Sequence, residues 1–393
     1  MPDISVGAQV FDLTFHPTES IVYVGLLTGE VKAFGYDEQG QHDQRFTLKP
    51  SKRSCRGLTV DERGDRIWSV GKGKSLCTID TRTAQITNTQ LAAHDAPINR
   101  VRYISQHFLA TGDDDGTVKL WDPRTPAEIR AYNHHFDFIS DFLWLPDKKH
   151  LVVTSGDGTL SVLDVRSGKP APFAQSEDQE DELLSATAIK GGQKVVVGTQ
   201  MGTLSIFNRK SGWGDCVDRV PGHPHSIDAL CTLPSSYPSS HSTILTGSSD
   251  GLIRVVQLLP TKLLGIVADH GDFPVERVVV DRAGEGRWVG SVGHEDVLKL
   301  TDLKDIFEDE DEGGVGEGDS EHVGSEDEGP SITAPGPVEE EKNDECSDSD
   351  EPEPEDPKSK KRKKKQAKDP LAKKKEKKGR NQIVTDPSFF SGL

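Results

Sequence analysis

Residues 94–124, HDAPINRVRYISQHFLATGDDDGTVKLWDPR, decide the fold of this 393-residue chain. The apolar run 108–111 ends in Gly112 and three aspartates, and residues 117–121 alternate polar with apolar side chains before closing on Trp121 and Asp122. Two strands around an Asp-Gly turn form a β-hairpin. Residues 98–103 also alternate, and residues 128–132 supply a fourth strand. The stretch therefore predicts one antiparallel sheet of four strands.

The same pattern recurs along the chain. The position of Trp121 is matched, at spacings of 42 to 49 residues, by the closing residues Phe34, Ile79, Leu163, Phe207, Val256 and Thr301. One such sheet cannot bury its faces alone, whereas a ring of sheets can. We therefore predict an all-β fold, a seven-bladed propeller over residues 1–302. Residues 4–6 are expected to pair beside residues 298–301 and so close the ring.

A His at the start of the unit, an Asp in the turn and a Trp-Asp close resemble a WD40 repeat. The resemblance implies a buried hydrogen-bond chain through His94, Thr111, Asp115 and Trp121. A buried carboxylate is tolerated when several donors satisfy it. Three other repeats also open with His, namely His135, His223 and His270. The turn Asp is matched by Asp157 and Asp250 and is replaced by Thr28, Gly73, Met201 and Glu295. Most repeats should therefore lack the full chain.

No motif indicates catalysis, and we expect no enzyme, cofactor or metal site. Residues 72–75 suggest a phosphate loop, but Trp68 occupies the place of its first Gly, so we interpret them as a hairpin turn. The histidines have no Cys or acid at a zinc-ligand spacing. Five scattered cysteines favour a reducing compartment. There is no apolar run near 20 residues, so no membrane span is expected, and residues 1–4 do not resemble a signal peptide.

Two repeats end in a box with arginine at its fourth position, at Arg124 and Arg166. These boxes resemble the WDxR motif, by which some WD40 proteins dock on the adaptor of cullin-4 ubiquitin ligases. That resemblance implies a substrate receptor. The alternative is local, since each Arg could simply pair with a neighbouring carboxylate in its loop.

The composition changes abruptly after residue 302. Residues 305–357 hold 23 Asp and Glu against one Lys, and residues 358–380 hold 14 Lys and Arg against two acids. Together, these two tracts contribute more than half of the formal net charge of -18. With few large apolar residues, they cannot offset their ordering entropy, so we expect a disordered charged tail divided into 303–357, 358–380 and 381–393.

The tail also offers functional signals. A basic cluster in the tail has three interpretations: a nuclear or nucleolar targeting signal, a weak RNA contact, or only a solubilising segment. It consists of Lys360, Lys361, Arg362, Lys363, Lys364 and Lys365. The acidic tract could bind basic ribosomal proteins or histones. Ser325 and Ser347 each have an acid three residues later and resemble casein-kinase-2 sites. Phe389, Phe390 and Leu393 form either a docking motif or a segment that folds back into a propeller groove.

The whole chain resembles the nucleolar family that includes animal WD-repeat protein 55 and the yeast Jip protein. The resemblance is most specific in FDLTFHPTESIVYVGLLTGEV near the start, in TGDDDGTVKLWD and in the terminal SFFSGL. It implies a nucleolar scaffold in ribosomal RNA maturation or ribosome biogenesis that contacts ribosomal proteins or assembly factors. We expect a monomer that works within larger complexes. The alternatives are the ligase receptor, through Arg124 and Arg166, and a chromatin or histone adaptor.

Overall fold

The computed structural model describes residues 2–125 and 127–308. Residues 309–357 of the predicted segment 303–357, and the predicted segments 358–380 and 381–393, lie outside these residues. So do the residues assigned to them: Ser325, Ser347, Lys360, Lys361, Arg362, Lys363, Lys364, Lys365, Phe389, Phe390 and Leu393.

In the described part of the chain, the strands form seven antiparallel sheets of four strands, which we number as blades. The first strand, β1 (Asp3–Ser5), belongs to the last blade. Blades 1 and 2 contain β2 (Val10–Phe15), β3 (Ile21–Leu26), β4 (Val31–Tyr36), β5 (His42–Leu48), β6 (Cys55–Val60), β7 (Arg66–Gly71), β8 (Leu76–Asp80) and β9 (Gln85–Gln90). Blade 3 contains β10 (Ile98–Ser105), β11 (Phe108–Asp113), β12 (Val118–Asp122) and β13 (Ala127–Tyr132).

Blades 4 to 7 follow the same order. Blade 4 contains β14 (Ile139–Leu145), β15 (His150–Ser155), β16 (Leu160–Asp164) and the two-residue β17 (Ala174–Gln175). Blade 5 contains β18 (Leu183–Ile189), β19 (Lys194–Thr199), β20 (Thr203–Asn208) and β21 (Asp218–Pro221). Blade 6 contains β22 (Ile227–Thr232), β23 (Thr243–Ser248), β24 (Leu252–Gln257) and β25 (Lys262–Asp269), with a 3-10 turn at Ser240–Ser242. Blade 7 contains β26 (Val275–Val280), α1 (Asp281–Gly284), β27 (Trp288–Gly293) and β28 (Val297–Asp302), and α2 (Leu303–Glu308) follows it.

The hairpin that begins the sequence argument has the predicted register. Leu109 pairs with Trp121 and Gly112 with Val118. Gly116 in the turn has a φ of +81°, and a Cβ there would lie 2.7 Å from the carbonyl oxygen of His135. This turn therefore needs glycine for both conformation and space. The closing residues of the seven repeats all lie in the third strands and are all buried: Phe34, Ile79, Trp121, Leu163, Phe207, Val256 and Thr301.

The inner strands of successive blades contact one another around a closed ring, since β26 of blade 7 also contacts β2 of blade 1. The predicted all-β, seven-bladed propeller is confirmed. The last sheet has the order β1-β28-β27-β26, so the N-terminal strand supplies its outer edge. Ile4 pairs with Leu298 and Asp3 with Lys299. The expected pairing is present, with β1 opposite 297–299 rather than 298–301.

Apolar residues from neighbouring blades fill the spaces between the sheets. Trp121 and Leu109 of blade 3, for example, pack in one cluster with Trp68 and Val70 of blade 2. Such burial between sheets provides the main stabilisation of a repeat fold.

The helix α2 packs against the propeller rather than beginning the tail. Leu303 is fully buried, Ile306 and Phe307 join the core cluster of blades 6 and 7, and the Phe307 ring lies 4.9 Å from that of Tyr237. The predicted boundary at residue 302 is therefore too early, because an apolar helical turn precedes the run of acids.

Candidate functional site

The antiparallel order gives the ring two distinct faces. The inner strands begin on one side, which we call the upper face, and it carries the turns between second and third strands and the connections between blades. The lower face carries the turns between first and second strands and between third and fourth strands. Loops on such faces are where binding residues of rigid scaffolds concentrate.

The buried hydrogen-bond chain exists in blade 3, but with a different aspartate. His94 Nδ1 lies 2.8 Å from the carboxylate of Asp113, His94 Nε2 lies 2.6 Å from the Thr111 hydroxyl, and the Trp121 indole donates to the same hydroxyl over 2.8 Å. Asp115, the residue expected from the sequence, is exposed. Asp113 is the last residue of β11, and its other oxygen accepts the backbone N–H groups of Asp115 and Thr117. Its carboxylate is therefore both buried and fully satisfied.

Two of the other opening histidines, His135 and His270, bond the residue at the turn position itself. His135 Nδ1 lies 2.9 Å from the carboxylate of Asp157, and Nδ1 of His270 contacts the carboxylate of Glu295. Burial alone would raise the pKa of Asp157, but the hydrogen bonds from His135 and Thr159 outweigh it and lower this pKa. In blade 6, Asp250 instead pairs with Arg254.

An ion cluster crosses the central channel. Arg277 on the inner strand of blade 7 donates to Asp12 of blade 1 over 3.0 Å and to Asp141 of blade 4 over 3.3 Å. The same carboxylates accept backbone N–H groups of the following blades, at Leu58 and Ala186. Burial alone would lower the pKa of Arg277, but Asp141 and Asp12 outweigh it and raise this pKa. The cluster fixes the geometry of the inner strands below the upper mouth.

One residue from the second position of each inner strand lines the upper mouth of the channel: Phe11, Arg56, Asn99, Ser140, Leu184, Asp228 and Glu276. The mouth encloses about 260 Å³. Its charges are divided, with Arg56 paired to Asp114 over 3.0 Å on one side and Glu276 bonded to His294 on the other. The Glu276 carboxylate accepts this hydrogen bond from His294 and so raises the pKa of the imidazole.

The upper face of blades 4 and 5 exposes large apolar side chains. Phe136, in the connection into blade 4, is 89% exposed, and Met201, in the turn between β19 and β20, is 76% exposed. Phe138 and Leu184 line the nearby mouth and are half-buried. Large exposed apolar groups on one face of a charged surface are typical of protein docking sites.

Acidic residues surround these apolar groups. The connection between blades 4 and 5 contains Glu177, Asp178, Glu180, Asp181 and Glu182. The Asp181 carboxylate accepts the backbone N–H of Met201 over 3.2 Å, so this acid lies next to the turn that carries Met201. We call Phe136, Phe138, Leu184, Met201 and residues 177–182 the upper-face patch. Its chemistry fits a partner segment that combines basic and apolar side chains.

Met201 is the residue of this patch that the sequence itself marks. It replaces the turn Asp of its repeat, and a large apolar residue at an exposed turn tip is unusual. Phe136 gave no comparable signal, because its exposure depends on the path of the chain between blades.

Arg124 and Arg166 lie on the lower face of neighbouring blades. Each forms a two-pronged ion pair with the aspartate two residues before it: Arg124 with Asp122 at 2.6 Å and Arg166 with Asp164 at 2.9 Å. The hydrogen bond from Arg124 lowers the pKa of Asp122 to about 2. The arginines remain 56% and 63% exposed, so the local pairing exists and leaves much of each guanidinium accessible.

Within residues 2–125 and 127–308, no three His, Cys, Asp or Glu side chains gather where they could hold a metal ion. Cys55, Cys77, Cys216 and Cys231 are free thiols. Among the same residues, no helix is long and apolar enough to cross a membrane.

Comparison with known proteins gives one consistent result. The family model described as WDR55 matches residues 1–306. The WD repeat-containing protein JIP5 of Laccaria bicolor is 61% identical over 326 residues, which cover 79% of this chain and 78% of the relative. The WD repeat-containing protein 55 homolog of Dictyostelium discoideum is 36% identical over 309 residues, covering 78% of this chain and 72% of the relative. The WD repeat-containing protein 55 of Bos taurus is 32% identical over 305 residues, with 77% of each chain covered.

Proposed function

Because the chain belongs to the WDR55 family of WD-repeat proteins, we propose that it is a non-enzymatic nucleolar scaffold that supports ribosomal RNA maturation and ribosome assembly. A WD40 propeller is a platform for protein interactions, and the upper-face patch is the observation that carries the proposal. It combines Phe136 and Met201, both highly exposed, with a loop of five carboxylates.

The chemistry of the patch selects a class of partner. Exposed aromatic and thioether groups bury apolar area on binding, and the carboxylates attract a positively charged segment and fix its position. Proteins that assemble on RNA present such segments. We therefore expect ribosomal proteins or assembly factors to bind the upper face of blades 4 and 5.

The proposed location rests on the sequence. The cluster from Lys360 to Lys365 fits a nuclear address, and the acidic tract before it fits a surface for basic proteins. Full-length chain in which residues 360–365 are replaced by Gln should lose nucleolar accumulation, as followed by fluorescence of a tagged copy. Unchanged accumulation would remove this part of the proposal.

The scaffold itself is tested by affinity purification of the tagged full-length chain, with and without RNase, followed by mass spectrometry. Phe136→Ser with Met201→Ser should deplete ribosomal proteins and assembly factors that survive RNase. The matched control is Leu263→Ser with Ile266→Ser, because these residues of β25 are also exposed and apolar but lie on an outer strand. An unchanged partner set in the first variant would exclude the patch as the docking site, and histones as main partners would favour the chromatin alternative.

The ligase receptor remains a second candidate, because Arg124 and Arg166 are held exposed in the same geometry on adjacent blades. If it is correct, Arg124→Ala with Arg166→Ala should abolish capture of the cullin-4 adaptor. Arg82→Ala is the control, since Arg82 is an exposed arginine on the lower face that is paired with Asp65. Absence of the adaptor from the wild-type purification would exclude the hypothesis that this chain is a ligase receptor docking through Arg124 and Arg166.

A further inference from the structure

The lower face of blades 4 and 5 concentrates positive charge in a chain that is acidic overall. The connections 145–150, 163–173, 189–194 and 207–217 contain three acids, Asp147, Asp164 and Asp215, against eight basic residues: Lys148, Lys149, Arg166, Lys169, Lys190, Lys194, Arg209 and Lys210. We call these eight residues and Phe173 the lower-face patch. Eight basic residues against three acids give these connections a net formal charge of +5.

The charge of the patch is not neutralised within the propeller. Asp147 and Asp164 are already paired, with Arg209 at 3.0 Å and Arg166 at 2.9 Å. Within the described residues, the six lysines of the patch form no ion pair with an acidic side chain. Lys148, Lys149, Lys169 and Lys210 are exposed.

The two blades are tied together at this surface. Arg209 of blade 5 bonds both oxygens of Asp147 in blade 4, over 3.2 and 3.0 Å, and also the carbonyl oxygen of Gly192 over 2.7 Å. The turns that carry Lys148 and Lys149, on blade 4, and Lys190, on blade 5, are therefore held side by side. A continuous basic surface results.

An aromatic ring lies at the edge of the same surface. Phe173 is 61% exposed, although it is a large apolar residue, and its ring centroid lies 4.7 Å from that of His150 at an interplanar angle of 35°. The imidazole supports one side of the ring. Lysines that track a phosphate backbone, together with an exposed ring on which a base can stack, are the two parts of a site for single-stranded nucleic acid.

We propose that the lower-face patch binds single-stranded nucleic acid, with the lysines on the phosphates and Phe173 stacked against a base. This site is separate from the upper-face patch and from the basic tract 358–380, and it does not depend on the proposed nucleolar function. An acidic peptide would bind the lysines equally well, but it has no base to stack on Phe173. The exposed ring therefore favours nucleic acid as the ligand.

The test uses the full chain with every Lys and Arg of residues 358–380 replaced by Gln, so that the tail cannot bind the probe. Fluorescence anisotropy measures binding of labelled 12-nucleotide oligo-U and oligo-dT at two salt concentrations. Lys148→Glu, Lys149→Glu and Lys210→Glu together should weaken binding more than tenfold and reduce the salt dependence. Phe173→Ala should weaken binding about tenfold with an unchanged salt dependence. Comparison of the two oligonucleotides separates RNA from DNA.

The matched control reverses three exposed basic residues on the upper face, by Lys52→Glu, Arg53→Glu and Lys72→Glu. It should bind as well as the parent chain, and circular dichroism establishes that each variant is folded. The proposal is overturned if the control variant loses as much affinity as the lower-face variant. It is also overturned if Phe173→Ala has no effect and polyglutamate displaces the probe, since the patch would then select acidic peptide.

Discussion

Arg277 in the seventh blade lies 3.3 Å from the carboxylate of Asp141 in the fourth blade, on the far side of the channel. The same guanidinium bonds Asp12 in the first blade over 3.0 Å. Three inner strands that are distant in sequence therefore share one cation, and the channel geometry below the upper mouth depends on it.

We expect Arg277→Met to destabilise the propeller by about 3 to 5 kcal/mol, because it leaves two buried carboxylates without their cation. Urea denaturation followed by circular dichroism measures the change. Adding Asp12→Asn and Asp141→Asn should recover most of the loss, since the amides remove the buried charge. A triple variant no more stable than the single one would show that the ion cluster is not the cause.

The aspartates of blade 3 provide a matched pair. Asp113→Ala should cost about 3 kcal/mol, because it removes the partner of His94 and the acceptor of two backbone N–H groups. Asp115→Ala should change the free energy of unfolding by less than about 0.5 kcal/mol, since Asp115 is exposed. Equal effects of the two substitutions would contradict the observed register.

Replacement of the adjacent residues His134 and His135 should change the stability of the fold in opposite directions. Both ring nitrogens of His134 are buried without a hydrogen-bond partner in the described residues, whereas both nitrogens of His135 are bonded, to Asp157 and Ser161. His134→Phe should therefore stabilise the fold by about 1 kcal/mol, and His135→Phe should destabilise it by about 2 kcal/mol. Thermal unfolding at pH 7 separates these outcomes, and a destabilised His134→Phe would mean that its nitrogens do have partners.

The buried histidines also predict the acid sensitivity of the fold. Burial, with smaller contributions from neighbouring charges, lowers the pKa of His134 and that of His223 to about 4. Between the unfolded value of about 6.5 and this folded value, the unfolded chain binds more protons, so stability falls as the pH is lowered. We expect the melting temperature to decrease from pH 7 to pH 5.

The variant His134→Phe provides the control for this pH dependence. Its melting temperature should decrease less than that of the wild type over the same pH interval, because one of the histidines with a lowered pKa is absent. Parallel decreases would assign the acid sensitivity to other groups.

The number and order of the blades followed from local sequence patterns. Alternation and a closing residue such as Trp121 are set within each hairpin, so a single sequence is enough to count them. The choice between Asp113 and Asp115 could not be made in this way. Three consecutive aspartates offer the same chemistry, and the point at which β11 turns decides which carboxylate is buried.

The binding surfaces were harder still to predict. Lys149 and Lys210 are far apart in sequence and share a surface because blades 4 and 5 are neighbours in the ring, where Arg209 pairs with Asp147. Phe136 and Met201 lie on the same face of the ring for the same topological reason. Residues that meet through the ring leave no local pattern in the sequence.

The pairing of β1 with β28 sets the order in which the molecule can be completed. During synthesis β1 leaves the ribosome long before β28 has been made. It therefore stays unpaired while the six blades between them form. The ring can close only after β28 (Val297–Asp302) has been synthesised, because Ile4 then pairs with Leu298. A nascent chain cut short before that point has an open edge on its last sheet and an unpaired first strand. Once the last strand of the propeller has been made, the ring can close while residues 303–393 are still to be added.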